Sequence, residues 1–191
     1  MRHWILGAVA ALMAIPALAE VGDDGLHKQP WMRDTFMDLR EDLDEANAEG
    51  KRLVLFFEQR GCIYCRKMHE EVFSDAGVAG YIEENFFVVQ MNLYGDVEVT
   101  DFDGESLSEK DMARKWRVMF TPNIVFLPED VSEGKDAISA AVAVMPGAFG
   151  KGTTLDMFTW VAEKRYALEN GEDFQRYHAR MIQERDNGSA D

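Results

Sequence analysis

The chain has 191 residues, 47% of them hydrophobic, and sets 35 Asp and Glu against 20 Lys and Arg, for a formal charge of −15. That length supports one domain with a sizeable core. So acidic a surface repels phosphate backbones and argues against nucleic-acid binding.

Met1-Arg2-His3 is a short basic start, followed by an apolar run from Trp4 to Ile15, then Pro16 and Ala17-Leu18-Ala19 before Glu20. A basic start, an apolar run and an A-x-A step make a secretory signal peptide over 1–19. The run is shorter than the roughly 20 apolar residues that span a bilayer. The remainder is expected in an oxidising, disulfide-permissive space. Residues 20–35 read as an N-terminal linker, 36–185 as the folded domain and 186–191 as a flexible tail. The polar stretches Val21 to Gln29 and Asp186 to Asp191 are expected to be frayed.

Phe36, Met37, Leu39, Leu43 and Ala46 have helical spacing, with Gly50 placed to supply a left-handed cap. Leu53-Val54-Leu55-Phe56-Phe57 is a continuous apolar run, short enough for a strand buried on both faces. After it comes Cys62-Ile63-Tyr64-Cys65, then Met68, Val72 and Phe73 at helical spacing. A further helix is predicted from Ser74 or Asp75 to about Glu84, and a second buried strand over Phe86–Met91. Asn92 to Ser106, rich in Asp and Gly, reads as a long loop, and Ser108-x-x-Asp111 as a capping box opening a helix through Trp116. Thr121-Pro122 precedes a third strand, Asn123–Leu127; Ala140–Met145 is a weak, alanine-rich strand. Leu155, Phe158, Val161 and Ala162 line a long helix, and Phe174 to Glu184 forms a last amphipathic one. The order α-β-α-β-α-β-β-α predicts an α/β domain with a mixed sheet.

Cys62 and Cys65 are the only two cysteines in the chain. A bridge between them closes so small a loop that it constrains little of the unfolded chain, so chemistry explains the pair better than stability does. Thiol–disulfide exchange needs two sulfurs within bonding reach, one of them accessible and ionised. A C-x-x-C at a helix start meets both needs, because unpaired backbone N–H groups and the positive helix end stabilise the first thiolate. Cys62 is therefore the expected nucleophile and Cys65 the resolving thiol, with Arg66 and Lys67 adding positive charge. A closed zinc site needs four ligands, and Cys62, Cys65 and His69 supply at most three, so no metal is expected. His69 shares a helical face with both cysteines and reads as a surface histidine. The methionines fall at core spacing and read as packing.

A hydrophobic strand, a C-x-x-C opening a helix and a Thr-Pro just before another strand together resemble the thioredoxin fold. More narrowly, Leu53-Val-Leu-Phe-Phe-Glu-Gln-Arg-Gly-Cys-Ile-Tyr-Cys-Arg-Lys-Met, Val88-Val-Gln-Met-Asn-Leu and Phe120-Thr-Pro resemble the SoxW-type periplasmic thioredoxins linked to bacterial sulfur oxidation. The resemblance implies a central mixed sheet flanked by helices, with an extra C-terminal helix. It also implies a cis Thr121–Pro122 bond beside the sulfurs, with the Thr121 backbone receiving a substrate strand by strand addition. Ordinary thioredoxins have Gly-Pro between the cysteines and a tryptophan before them, where this chain has Ile63-Tyr64 and Gly61. They also carry a buried acid six positions before the first cysteine, where this chain has Phe56. Glu58 is the nearest acid: either a substitute proton acceptor or an exposed or salt-bridged residue at the strand end.

The resemblance implies a monomeric periplasmic protein-disulfide reductase that needs no cofactor. Its reductant would be a membrane-embedded thiol-electron transporter and its substrates periplasmic disulfide-containing proteins. A disulfide oxidase or isomerase, since Cys-x-Tyr-Cys also occurs in isomerases, and a metal-binding chaperone using the cysteine pair stand as alternatives. Ile63, Tyr64, Arg66 and Glu58 are the candidate tuning residues.

Overall fold

A computed structural model describes residues 20–169 and 171–188. The expected signal peptide, 1–19, lies outside the described residues. In chain order the elements are β1 (Glu20–Val21), β2 (His27–Lys28), β3 (Met32–Arg33), α1 (Leu39–Ala48), β4 (Arg52–Glu58), α2 (Ile63–Glu71), α3 (Ala76–Asn85), β5 (Phe86–Asn92), β6 (Glu98–Thr100), β7 (Ser106–Ser108), α4 (Glu109–Lys115), β8 (Asn123–Phe126), α5 (Ala137–Ala140), β9 (Ala143–Pro146), α6 (Lys151–Ala162) and α7 (Phe174–Gly188).

The central sheet has the order β3-β5-β4-β8-β9. β4 lies in its middle, parallel to β5 with Leu55 opposite Val89, and antiparallel to β8 with Leu55 opposite Val125. Successive side chains of a strand point to opposite faces, which divides the continuous apolar run of β4 between two cores. Leu53, Leu55 and Phe57 pack with Leu39, Leu43, Met112 and Trp116 from α1 and the α4 region. Val54 and Phe56 pack on the other face with Met68, Ile82, Phe158 and Val161 from α2, α3 and α6. An α/β layer structure with a mixed sheet is therefore the observed architecture, and α7 is the extra C-terminal helix.

The caps explain where the helices begin. Asp38 accepts from Arg40 N and Glu41 N at the head of α1, and Asp75 from Gly77 N and Val78 N at the head of α3. α1 starts later than the apolar spacing predicts. Met37 has a φ of 56°, which breaks the helix before Leu39 and leaves Phe36 95% exposed. Gly50, at φ 71°, follows α1 in the left-handed conformation expected of it.

Five expectations need correction. The segment 92–106 is not all loop: β6 and β7 form an antiparallel hairpin, with Val99 opposite Leu107. Ser108 starts α4 without capping its backbone, because its hydroxyl donates to Asp111 Oδ2 at 2.8 Å instead. The weak strand begins at Ala143, because Ala137–Ala140 forms a short helix capped by Asp136. The largest change is at the N-terminal end, where 20–35 is neither frayed nor a linker. β1 and β2 pair, β3 joins the central sheet beside β5, and Leu26 and Trp31 are buried. At the other end α7 continues through Gly188, so the expected tail is helical as far as that residue.

Candidate functional site

β4 delivers the chain to the C-terminal edge of its sheet, and the turn Gln59–Gly61 lets α2 start directly beyond it. Gly61 has a φ of 72°, a conformation that glycine adopts without steric cost. Cys62 is the N-cap of α2, and its sulfur accepts a hydrogen bond from Cys65 N at 3.0 Å. The two cysteines are joined as a disulfide. Cys62 keeps 7% of its surface exposed and Cys65 none, so the first sulfur is the one a partner can approach. That opening is narrow.

The Thr121–Pro122 peptide is cis. Thr121 Oγ1 donates to Cys62 Sγ at 3.3 Å, which brings the loop before β8 onto the first sulfur. Pro122 O accepts from Gly147 N at 2.8 Å and so is tied to the end of β9. Among the described residues, none hydrogen-bonds to the backbone N–H or C=O of Thr121. Around this opening the surface is apolar: Ile63 and Tyr64 on the first turn of α2, and Met119 and Phe120 before Thr121, are all more than half exposed. Arg66 is exposed too, 3.8 Å from Glu70, and lines one cavity with Cys62 and Ile63.

Glu58 and His69 both depart from the surface readings. Each has no exposed area. His69 sits one turn beyond Cys65 on the inward face of α2, and its Nε2 lies 3.0 Å from Glu58 Oε1. Glu58 Oε2 also accepts from Gln90 Nε2 in a short hydrogen bond. A buried carboxylate needs such partners, which is why the histidine turns inward.

Two further residues come from the N-terminal segment, the stretch expected to be a frayed linker. Gln29 Nε2 lies 3.0 Å from His69 Nδ1, and the ring of His27 stacks on that of His69 with centroids 5.2 Å apart. His27 Nδ1 is buried 4.0 Å from Glu58 Oε1 with no hydrogen-bond partner among the described residues. Burial holds the His27 ring below the ordinary histidine range, although Glu58 pulls the other way. Gln90 was visible as the one polar residue inside the apolar run of β5; nothing in the sequence around His27 or Gln29 marks them. Among the described residues, His27, Glu58 and His69 form the group able to hold a metal ion, whereas the cysteines are occupied by their bond to each other.

Residues 39–140 match the family model described as a thioredoxin-like domain, which is more than half of the chain. The chain belongs to the thioredoxin-like domain family. This thioredoxin-like chain is also similar in fold to a thioredoxin-fold protein from Helicobacter pylori, with 18% identity over 70% of this chain and 81% of that one, at a TM-score of 0.53. A thioredoxin from Thermus thermophilus is 25% identical over 66% of this chain and 85% of its own, at a TM-score of 0.51. No curated protein sequence matches. The fold is therefore that of thioredoxin, with a redox-type cysteine pair at the N-terminus of α2.

Proposed function

We propose that this thioredoxin-like chain is a periplasmic protein-disulfide reductase. The observation that carries the redox reading is the Cys62–Cys65 disulfide at a helix N-terminus, with Thr121 Oγ1 on the outer sulfur and the Thr121 backbone unpaired beside it. A partner segment lies along that free backbone as an added strand, which carries its own disulfide to Cys62. The apolar surface of Ile63, Tyr64, Met119 and Phe120 favours a partner with apolar side chains around its cysteine.

In the reduced protein the Cys62 thiolate attacks one sulfur of the partner disulfide. A Cys62–partner bond forms, the partner's S–S bond breaks, and its other sulfur leaves as a thiolate that takes a proton from solvent. Cys65 then loses its proton and attacks Cys62 Sγ, closing the disulfide seen in the structure and releasing the partner's second thiolate. Two electrons have moved to the partner. A membrane-embedded thiol-electron transporter returns the pair to the dithiol state by the same exchange run against its own thiols. The location, the transporter and a role in sulfur oxidation follow from the resemblance of the Cys62 and Thr121 segments to SoxW-type thioredoxins.

The test is to trap the mixed disulfide. Cys65→Ser removes the resolving sulfur and accumulates Cys62-linked partners on non-reducing gels, while Cys62→Ser traps none. Equal trapping by the two variants refutes the assignment of roles. Direction is read separately, by equilibration against a glutathione buffer. A reductase sits toward the thioredoxin end of the scale, about −270 mV, and a value near about −120 mV makes the protein an oxidase instead.

A further inference from the structure

We propose that His27, Glu58 and His69 form a binding site for a divalent transition-metal ion of the zinc class, separate from the cysteine pair. One donor atom from each of the three lies within 4.8 Å of the other two. Two ligands each about 2.1 Å from a tetrahedral ion stand roughly 3.4 Å apart. The His69 Nε2–Glu58 Oε1 separation of 3.0 Å and the His27 Nδ1–Glu58 Oε1 separation of 4.0 Å bracket that value. Two imidazoles and one carboxylate are a donor set that suits zinc and its neighbours and leaves one position open.

Three independent features of the surroundings point the same way. First, His27 Nδ1 is buried without a hydrogen-bond partner among the described residues and faces Glu58, an arrangement that costs free energy unless something occupies the gap. Second, Glu58 is a buried carboxylate with no Lys or Arg ion-paired to it among the described residues; Lys28, which reaches its network through Gln90, goes to Gln90 and Asp24. An ion supplies a fixed positive charge where the partners of Glu58 are two imidazoles and an amide. Third, the outer contacts of a metal site are already built. Gln90 holds the second oxygen of Glu58, and Gln29 holds the far nitrogen of His69, needing only a half-turn of its amide to accept from Nδ1–H.

His27 lines a cavity of about 290 Å³ together with Gly61, Cys62, Ile63 and Arg66, so its ring is the side of the cluster nearest the surface. The ion would join the N-terminal segment to β4 and α2, fastening that segment across the redox helix. Because Cys62 and Cys65 are bonded to each other, the site is complete in the oxidised protein.

That last point sets the experiment. The oxidised full chain, stripped with a chelator and shown to contain no free thiol, is titrated with zinc chloride by calorimetry and equilibrium dialysis. One equivalent of saturable binding is expected, with a rise in Tm. Glu58→Gln and His27→Phe are expected to weaken binding at least tenfold; the phenyl ring keeps the stack on His69 but offers no ligand atom. His69→Gln provides a second ligand variant should either of these fail to fold, as read by circular dichroism. His178→Ala, remote from the cluster, should bind like the parent chain. Absence of saturable binding overturns the proposal, as does equal affinity in the parent, Glu58→Gln and His27→Phe, which means binding by surface carboxylates. None of these outcomes bears on the trapping result with Cys65→Ser, so the two readings fail separately.

Discussion

Asp42 offers a direct test of how burial sets stability in this fold. Its residue is only 3% exposed on the inward face of α1. Burial pushes its carboxyl up to about 7, repulsion from Asp38, Glu45 and Glu41 adds to the rise, and the Thr35 hydroxyl, 3.2 Å from Oδ2, opposes it. In the unfolded chain an aspartate titrates near about 3.9. Between those values the folded state holds more protons than the unfolded state, so stability falls as the pH rises from about 4 to about 7 and levels off above. A shift of about 3 units corresponds to about 4 kcal/mol, and relaxation of the surroundings leaves about 2 kcal/mol. Asp42→Asn cannot ionise and keeps an oxygen for the Thr35 hydroxyl. It should match the parent chain near pH 4 and exceed it by about 2 kcal/mol at pH 8. Urea denaturation of both proteins, followed by tryptophan fluorescence at pH 4.5, 6 and 8, gives the difference directly and cancels the carboxylates they share. A difference that stays constant from pH 4.5 to pH 8 refutes the reasoning.

Three other substitutions probe the site and its supports. Thr121→Val removes the hydroxyl that donates to Cys62 Sγ; in the reduced protein this should raise the Cys62 pKa, and an alkylation-rate profile unmoved along the pH axis contradicts it. Phe158→Ala empties a buried position where two edge-to-face contacts, to Phe86 at 4.8 Å and Phe126 at 4.9 Å, meet; a loss of about 3–5 kcal/mol in urea unfolding is expected. Asp101→Ala leaves the buried N–H groups of Trp116 and Ala137 without their acceptor and Lys115 without one of its carboxylates. It should cost about 3–5 kcal/mol, and a loss below 1 kcal/mol shows that water replaces the carboxylate.

The parts of the fold that the sequence displays are those whose signal is local. β4 and β5 are continuous apolar runs because the sheet is covered on both faces, and their residues alone mark them as central strands. The cysteine pair at a helix start and the Thr-Pro before β8 are likewise local, and the structure brings them to 3.3 Å. β6 and β7 are three residues each and mostly polar, held by one buried residue, Val99, so alternation has no length over which to show. Phe36 misled for the opposite reason. It has the right spacing, but the left-handed turn at Met37 takes it off the helix, and no composition rule marks a non-glycine residue for that conformation.

The N-terminal segment is the instructive failure, because its order is not encoded within itself. Between Val21 and Gln29 there is a single buried hydrophobe, Leu26, so any local reading gives a polar, frayed end. What fixes the segment is distant: Gln29 meets His69 40 positions away, Gln90 Nε2 donates to His27 O across 63, and Arg60 reaches back to Asp24 O across 36. Each of these contacts is polar, and each leads toward Glu58 or the turn beside it. A fully buried carboxylate at the end of the central strand demands partners, and the chain supplies them from a helix, a neighbouring strand and its own N-terminal segment. His69 was legible as sharing a face with the cysteines, but the direction it turns depends on Glu58 being buried. That in turn depends on His27, Lys28 and Gln29 covering it. Cover by this segment and burial of the acid go together in the structure, so neither is legible without the other.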